Sequence, residues 1–292
     1  MKKIFILLLL CAFFIKTYSQ SLTKERIQKL KTCVGKISIE GSPFTGTGFL
    51  ISEVGNVLTC WHVVAPSLIT DTLGHILDSR KVFIEFGNGV KFEISIPAKF
   101  VYSEKLNQSA VSYDYCILVP TLPRAKKIDF IKLGSFQDIN EGDEVYTAGY
   151  PLGISNQFIS KGILSTKYID SSRNYTNKGL GIINQKIKLS VALLDLTINK
   201  GNSGGPIIKI GKTPKDDQVV GIANFTLNPL GSSAEQVNNA LEKFKIDYKL
   251  KNEKGDWVSL TEAMKVFSQA IIYSSNGISG CVSINHFLQA TQ

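Results

Sequence analysis

The segment Asn199-Lys-Gly-Asn-Ser-Gly-Gly-Pro206 places Ser203 in a glycine-rich turn directly before the apolar run 206–210. Glycines on both sides of the serine carry no Cβ atom, so backbone N–H groups can converge beside it. Two other segments place a reactive residue at the end of a strand-like run: His62 within 57–64 and Asp114 at the start of 114–119. The chain therefore carries a histidine, an aspartate and a serine, in that order.

These three residue types together predict a nucleophilic site. A serine hydroxyl is a weak nucleophile that needs a base within hydrogen-bond reach, and an imidazole titrates near neutral pH. A carboxylate can hold the imidazole in one tautomer and stabilise its protonated form. We therefore predict that His62 is the base, Asp114 the orienting acid and Ser203 the nucleophile. The backbone N–H groups of Gly201 and Ser203 are predicted to bind a developing oxyanion.

Short strand-like runs separated by turn residues fill most of 33–210. Asn88-Gly89, between two such runs, is a favoured hairpin turn. Helical segments do not alternate with these runs, so we predict an all-β barrel or sandwich and not a parallel α/β sheet. Residues 231–275 differ, because their apolar residues recur at helical spacing and Ser259-x-x-Glu262 is a capping box. We predict a helical insertion there, too short for a core of its own.

The N-terminal residues 1–20 have the pattern of a secretory signal peptide. Lys2 and Lys3 precede 12 consecutive apolar residues in this chain of 292 residues, whereas a membrane-spanning helix needs roughly 20. An uncleaved membrane anchor is the alternative. We expect a secreted or periplasmic protein without a stable membrane span after the signal is removed.

The charge of the chain is modest, and its lysines are scattered. The formal net charge is +9, and removal of Lys2, Lys3 and Lys16 with the signal lowers it to +6. This distribution does not favour nucleic-acid binding.

Cysteine usage leaves the disulfide pattern open. Removal of the signal leaves Cys33, Cys60, Cys116 and Cys281, which allow three pairings or buried free thiols. Their spacing fits no metal motif, so we predict neither a metal nor another cofactor.

Several segments resemble the protease domain of HtrA/Deg serine proteases. These are Thr45-Gly-Thr-Gly-Phe-Leu-Ile51, Val57-Leu-Thr-Cys-Trp-His-Val-Val64, Ala148-Gly-Tyr-Pro-Leu-Gly153, Val220-Gly-Ile-Ala-Asn224 and the nucleophile segment 195–206. The resemblance runs from about 33 to 285, apart from the insertion. It implies two six-stranded antiparallel β-barrels of the chymotrypsin type, over 21–130 and 131–292, with the site in the cleft between them. It implies the same roles for His62, Asp114, Ser203 and Gly201, and protein or peptide substrates. Family relatives often trimerise, so a homo-oligomer stays open.

This sequence also departs from the family pattern. Residues beyond about 231 do not resemble a PDZ domain, and the region 67–80 is expected to hold an extra loop. A different comparison concerns Asn202, which precedes the serine where a pancreatic-type zymogen switch has an aspartate that pairs with a new N-terminal ammonium. Without that carboxylate the switch has no partner, so we expect that activity does not require a defined N-terminal cut. If the barrel pairs their strands, Cys60 and Cys116 would lie close enough to the site for a disulfide bridge.

The pocket for the residue before the scissile bond is expected to be lined by Thr197, Ile198, Ala223, Asn224 and Phe225. These segments lack an acid apart from Asp195 at their beginning, so a basic side chain would find no buried counter-ion. We expect small or medium aliphatic side chains to be preferred.

Three other functions compete with that of a serine endopeptidase. A trypsin-like fold that only binds or regulates would retain the three side chains but misalign them. An α/β-hydrolase esterase is disfavoured, because the Gly-x-Ser-x-Gly elbow is missing and its chain order is serine, aspartate, histidine. A metalloprotease is disfavoured because the sequence contains no His-Glu-x-x-His.

Overall fold

The computed structural model describes residues 22–72, 76–98, 111–124, 126–171, 174–175, 185–226, 231–243, 248–251, 255–273 and 278–291. The predicted signal peptide lies outside the described residues. Among the described helices, none combines the length and the apolar character that a membrane span requires.

The first half of the chain forms a closed antiparallel barrel. Its strands are, in chain order, β1 (Val34–Ile39), β2 (Thr45–Leu50), β3 (Val57–Thr59), β4 (Leu68–Thr70), β5 (Ile76–Ser79), β6 (Val82–Phe86), β7 (Lys91–Ser95) and β8 (Cys116–Pro120). The barrel closes in the order β1-β2-β3-β8-β7-β6. β4 and β5 pair as a separate hairpin within the region 67–80. That this hairpin is extra to the family pattern stays a prediction.

The predicted Asn88-Gly89 turn joins β6 to β7. Gly89 has a positive φ of 82°, and the Asn88 side chain accepts a hydrogen bond from the backbone N–H of Val90 at 3.1 Å. The alternating burial of β6 directs Val82, Ile84 and Phe86 into the barrel.

A second closed barrel follows. Its region contains β9 (Lys132–Leu133), β10 (Glu144–Gly149), β11 (Phe158–Asp170), β12 (Asn174–Tyr175), β13 (Gln185–Lys186), β14 (Leu189–Asp195), β15 (Pro206–Lys209), β16 (Gln218–Thr226), β17 (Lys249–Lys251), β18 (Trp257–Ser259) and β19 (Ile278–Ser283). Six strands run in the order β15-β10-β11-β14-β19-β16, and the β15–β16 pairing closes the ring. β9 joins β16 from outside in parallel orientation. The prediction of two six-stranded antiparallel barrels is confirmed.

Five α-helices have both ends among the described residues: α1 (Lys24–Cys33), α2 (Trp61–Val64), α3 (Gly231–Lys243), α4 (Leu260–Tyr273) and α5 (Asn285–Thr291). Three short 3-10 helices span Ala65–Ser67, Phe136–Asp138 and Pro151–Gly153. α3 and α4 confirm the helical character of the insertion. The Ser259 hydroxyl accepts a hydrogen bond from the backbone N–H of Glu262 at 3.0 Å, as its capping box predicts. Between the helices, β17 and β18 form a short hairpin in a region that looks polar and loop-like in sequence.

Helix α1 is anchored to the second barrel by a buried charged side chain. Arg26 Nε lies 2.8 Å from Asp217 Oδ2, and the two side chains are 3% and 1% exposed. Asp217 also accepts hydrogen bonds from the Tyr146 hydroxyl and the Gly211 backbone N–H, both at 2.7 Å. The carboxylate is therefore saturated with donors, as a buried charge requires.

The two barrels share a core, which fixes the cleft between them. Phe49 and Leu58 of the first barrel pack in one cluster with Tyr146 and Ile208 of the second and with Phe287 of α5. Each barrel also has a core of its own.

The hypothesis of a bridge between Cys60 and Cys116 is wrong. Cys33, Cys60, Cys116 and Cys281 are all buried free thiols. β3 and β8 do pair, with Thr59 opposite Cys116. Cys116 points into the core of the first barrel, whereas Cys60 lies in the cluster between the barrels. The two sulfurs therefore face different compartments.

Candidate active site

His62 and Asp114, which the sequence predicts to be a base and its orienting acid, lie in direct hydrogen-bond contact. β3 leads into the short helix α2, which carries His62, and Asp114 lies just before β8, the partner of β3. His62 Nδ1 lies 2.7 Å from Asp114 Oδ2, and the His62 backbone N–H donates to Oδ1 at 2.9 Å. Because a carboxylate only accepts hydrogen bonds, the ring proton lies on Nδ1 and leaves Nε2 as the acceptor.

Asp114 is held in an uncommon backbone conformation. Its φ is +53°, a left-handed value that costs a non-glycine residue about 1–2 kcal/mol. Burial alone would favour the neutral acid, but the hydrogen bonds and charge of His62, with a hydrogen bond from Asn224, lower the pKa of Asp114 below its ordinary value. The carboxylate is therefore ionised at neutral pH and can stabilise a protonated imidazole.

Asn224 connects the second barrel to this pair. It lies in β16, and its side-chain amide donates a short hydrogen bond to Asp114 Oδ2. The same amide also lies 3.7 Å from Cys60 Sγ. Sequence analysis assigned Asn224 to the substrate pocket and missed this contact. That pocket role stays a prediction.

The loop of Ser203 packs against the end of β3, close to the segment of His62. The Ser203 carbonyl accepts from the Thr47 backbone N–H at 2.9 Å, and the Gly204 N–H donates to the Ala223 carbonyl at 2.8 Å. A Cβ atom at Gly204 would lie 2.2 Å from the Thr47 carbonyl oxygen, so a glycine is required there. Within the described part of the chain, no hydrogen bond joins the side chains of Ser203 and His62.

The two predicted oxyanion donors are available. The Lys200 carbonyl accepts from the Leu152 backbone N–H, and the Gly201 carbonyl accepts from the Thr47 hydroxyl, both at 2.6 Å. The peptide units on both sides of Gly201 are thus fixed by their carbonyl groups. Among the described residues, no acceptor takes the N–H of Gly201 or of Ser203. Both N–H groups are therefore free to bind an anionic oxygen.

Leu152 is a residue that sequence analysis quoted but gave no role. Its φ is +55°, although its side chain is 57% exposed and no packing of that side chain explains the strain. Its N–H is the donor that fixes the Lys200 carbonyl. Backbone strain of this kind persists only where the surrounding structure imposes it.

The two segments predicted to line the substrate pocket meet on either side of β19. Asp195 pairs with Ile278, and Phe225 pairs with Gly280. The Phe225 ring occupies the space over Gly280, where a Cβ atom would lie 2.1 Å from the ring.

The remaining members of this predicted set differ in exposure. Ile198 and Ala223 are buried, whereas Thr197 is exposed and lines an open depression of about 440 Å³. The two predicted pocket segments, 195–198 and 223–225, therefore lie on either side of β19, but the side chain of Thr197 is exposed to solvent.

Cys60 is the one residue that could add a metal ligand here. The ligand-type atoms of Cys60, His62 and Asp114 lie within 4.8 Å of one another, the one such trio among the described residues. Complete burial and the nearby Asp114 charge raise the pKa of the Cys60 thiol well above its usual range. The thiol therefore stays protonated at neutral pH, and its Sγ donates to the Ala223 carbonyl at 3.3 Å. A metal would compete with the His62–Asp114 bond itself.

Comparisons with known proteins bear on the family and the fold of the chain. Residues 46–222 match the model of the trypsin-like peptidase domain family. The chain is 24% identical over 217 residues to the "Probable periplasmic serine endoprotease DegP-like" of Rickettsia conorii, and 26% identical over 213 residues to "Serine protease HTRA3" of Mus musculus. Each alignment covers 73% of this chain but only 35% and 39%, respectively, of these curated relatives, so the chain spans little more than a third of their length.

One solved structure, the HtrA-type protease AlgW with a tripeptide, superimposes on 90% of this chain and 60% of its own. The TM-score is 0.50 and the sequence identity is 16%. This likeness is one of fold.

Proposed function

The chain belongs to the trypsin-like peptidase domain family, which it matches over residues 46–222. On this premise we propose that it is an HtrA-like serine endopeptidase that cleaves peptide bonds through Ser203, His62 and Asp114. The observation that carries the proposal is the bidentate contact of Asp114 with His62, made at the cleft where the Ser203 loop presents two free N–H groups.

The proposed reaction has two half-steps. His62 Nε2 takes the hydroxyl proton of Ser203 while Oγ attacks the carbonyl carbon, and the N–H groups of Gly201 and Ser203 bind the oxyanion that forms. The protonated His62 then gives this proton to the leaving amine as the C–N bond breaks, which leaves an acyl-enzyme. Water repeats the sequence and releases the acid. Asp114 stays ionised throughout.

Substrates are proposed to be extended protein or peptide chains with small or medium aliphatic side chains before the scissile bond. Ile198, Ala223 and Phe225 present no charge, and the exposed Asp195 lies at the far end of its segment. A panel of fluorogenic peptides tests this. Preference for Arg or Lys would contradict it.

Export is proposed on two grounds. Residues 1–20 have the signal pattern, and the Rickettsia relative is named as periplasmic. Recovery of the mature chain outside the cytoplasm, with a new N-terminus near residue 21, tests the proposal.

Casein digestion by the mature chain, beside its Ser203→Ala variant, tests the endopeptidase activity. We expect hydrolysis that the variant lacks. We expect the Ser203→Ala variant to retain the fold, because among the described residues no hydrogen bond of the Ser203 hydroxyl holds the loop.

A second candidate is a trypsin-like fold that binds without cleaving. The missing Ser203–His62 hydrogen bond in the described residues favours it. Such bonds are often long in unliganded enzymes and tighten on substrate binding. A fluorophosphonate probe separates the two candidates, because only an activated Ser203 becomes labelled.

A further inference from the structure

Two consecutive residues of helix α5, His286 and Phe287, contact the two chain neighbours of Asp114. The Tyr113 ring stacks on the His286 ring at 4.2 Å between centroids and 9° between planes. The Tyr115 ring meets Phe287 edge-on at 5.5 Å and 75°. The residue with strained backbone thus lies between two aromatic contacts, both made by the helix that follows the second barrel.

His286 is itself held by the second barrel. Its Nε2 accepts a hydrogen bond from the backbone N–H of Ser190, in β14, at 2.8 Å. The acceptor role fixes the ring as neutral with its proton on Nδ1. The ring therefore has one orientation, and it presents a flat face to Tyr113.

Phe287 is fixed in the same way by packing. It is 4% exposed, Tyr115 is 1% exposed, and both belong to the core cluster between the barrels. Tyr115 therefore cannot move without disturbing this shared core, and the partly buried Tyr113 packs against the same core.

The carboxylate between these tyrosines receives its hydrogen bonds from opposite sides of the cleft. His62 belongs to the first barrel and Asn224 to the second. A left-handed backbone at Asp114 persists only where its surroundings impose it. The hydrogen bonds from His62 and Asn224 hold the side chain of Asp114. The ring contacts of Tyr113 and Tyr115 hold the residues before and after it in the chain, and so its backbone.

We infer that His286 and Phe287 are positioning residues, which hold Asp114 in register with His62 by clamping Tyr113 and Tyr115. This inference rests on the proposed function, because it gives a catalytic consequence to that register. On this inference, helix α5, which follows the second barrel, helps to align Asp114 and His62, which belong to the first barrel.

The test uses paired variants of the full mature chain. His286→Ala and Tyr113→Ala remove the stack, whereas His286→Phe and Tyr113→Phe keep an aromatic ring in its place. We expect the alanine variants to lower kcat by about 10-fold or more, because small misplacements of catalytic groups cost up to about 100-fold. KM should change little, since the substrate contacts are intact. The phenylalanine variants should recover most of the loss.

A spectroscopic measurement separates this inference from the proposed activity. In a Ser203→Ala background, the proton between His62 Nδ1 and Asp114 should give a downfield ¹H NMR resonance. We expect the resonance to weaken or disappear in His286→Ala and Tyr113→Ala, and to persist in the phenylalanine variants.

The outcomes are distinct. A wild-type chain without hydrolysis overturns the proposed function, while the resonance still tests the clamp. Alanine variants that melt at lower temperature but keep both kcat and the resonance would overturn the clamp and leave these contacts a structural role only.

Discussion

The backbone N–H of Leu152 donates to the carbonyl of Lys200 at 2.6 Å, and it does so from a left-handed backbone conformation with φ at +55°. This contact directs the Lys200 carbonyl toward Leu152. The N–H of Gly201, which belongs to the same peptide unit, is thereby directed away from Leu152. One strained residue in one loop thus sets a predicted oxyanion donor in another.

The first prediction isolates this backbone effect. Leu152→Gly permits the left-handed conformation without strain, whereas Leu152→Val disfavours it, because a β-branched residue rarely adopts a positive φ. We expect the valine variant to lower kcat by about 10- to 100-fold, since loss of one oxyanion donor costs about 100-fold or more. The glycine variant should retain kcat. Steady-state kinetics on a peptide substrate measures both.

The side chain of Leu152 is 57% exposed, which makes the comparison a clean one. Neither substitution removes buried apolar contacts of any size. Equal kcat values for the two variants would show that the conformation of Leu152 does not matter to the oxyanion site.

The second prediction concerns the amide of Asn224. Asn224→Ala removes one hydrogen bond to the Asp114 carboxylate, and a hydrogen bond to a charged group is worth about 1.5–3 kcal/mol. We expect kcat to fall by about 10-fold and the pKa of Asp114 to rise toward its ordinary value. Asn224→Asp should be worse at neutral pH, because two adjacent carboxylates repel each other and tend to share a proton.

Asn88→Ala is the matched control for Asn224. Asn88 caps a surface hairpin far along the sheet and should leave kcat unchanged. An Asn224→Ala variant with wild-type kcat and a lower affinity for substrate would instead support the pocket role predicted from sequence.

For the candidate site, the sequence predicts the type of each residue and its position along a strand. His62, Asp114 and Ser203 stand out because each lies at the end of an apolar run, and barrels bring strand ends to one edge. Asn224 lies inside a run, so its contact with Asp114 depends on how β16 of one barrel faces the start of β8 in the other. No local pattern carries that information.

Other features were hidden for related reasons. The sequence Pro-Leu-Gly at 151–153 does not predict a left-handed backbone at Leu152. Cys60 and Cys116 are on neighbouring segments, yet the pleat sends their side chains to different cores. Helix α1 has little apolar periodicity, and its anchor is the charged Arg26, a residue type that sequence patterns assign to the surface.

The third prediction concerns that anchor. Arg26→Met leaves Asp217 buried without its counter-charge, and breaking a buried pair in this way costs about 3–5 kcal/mol. We expect the free energy of unfolding, measured by urea titration, to fall by about this amount. Activity below the transition should persist, because Asp217 and the Gly211 carbonyl, to which the Arg26 side chain donates, lie outside the predicted site.

Lys29→Met provides the control on the same helix. Lys29 Nζ donates to the Pro214 carbonyl at 3.2 Å, and within the described part of the chain it forms no ion pair with a buried charge. We expect the free energy of unfolding to fall by less than about 1 kcal/mol, which is what one ordinary hydrogen bond contributes. Similar losses for the two variants would argue against a special role for the buried pair.

The fourth prediction is a pH dependence of stability that arises from His286. Burial lowers the pKa of His286 to about 4, from an ordinary value of 6.5. The unfolded chain therefore binds a proton at this residue before the folded chain does. As the pH falls from about 6.5 toward 4, this difference favours unfolding, and below about 4 it adds nothing more.

His286→Phe removes the titrating group but keeps a ring against Tyr113, so it isolates this contribution. Urea titrations at pH 7 and pH 4.5 should show that the wild-type chain loses more stability on acidification than the variant does. Other groups titrate in this interval, including the carboxylates, but they are common to both chains and cancel in the comparison.

Tyr113→Phe retains His286 and its bond from Ser190, so it should keep the wild-type loss of stability on acidification. If wild type and His286→Phe lose the same free energy between the two pH values, His286 is protonated in the folded chain as readily as in the unfolded one. The bond from the Ser190 N–H to Nε2 could then not be what holds the ring, because a protonated Nε2 cannot accept it.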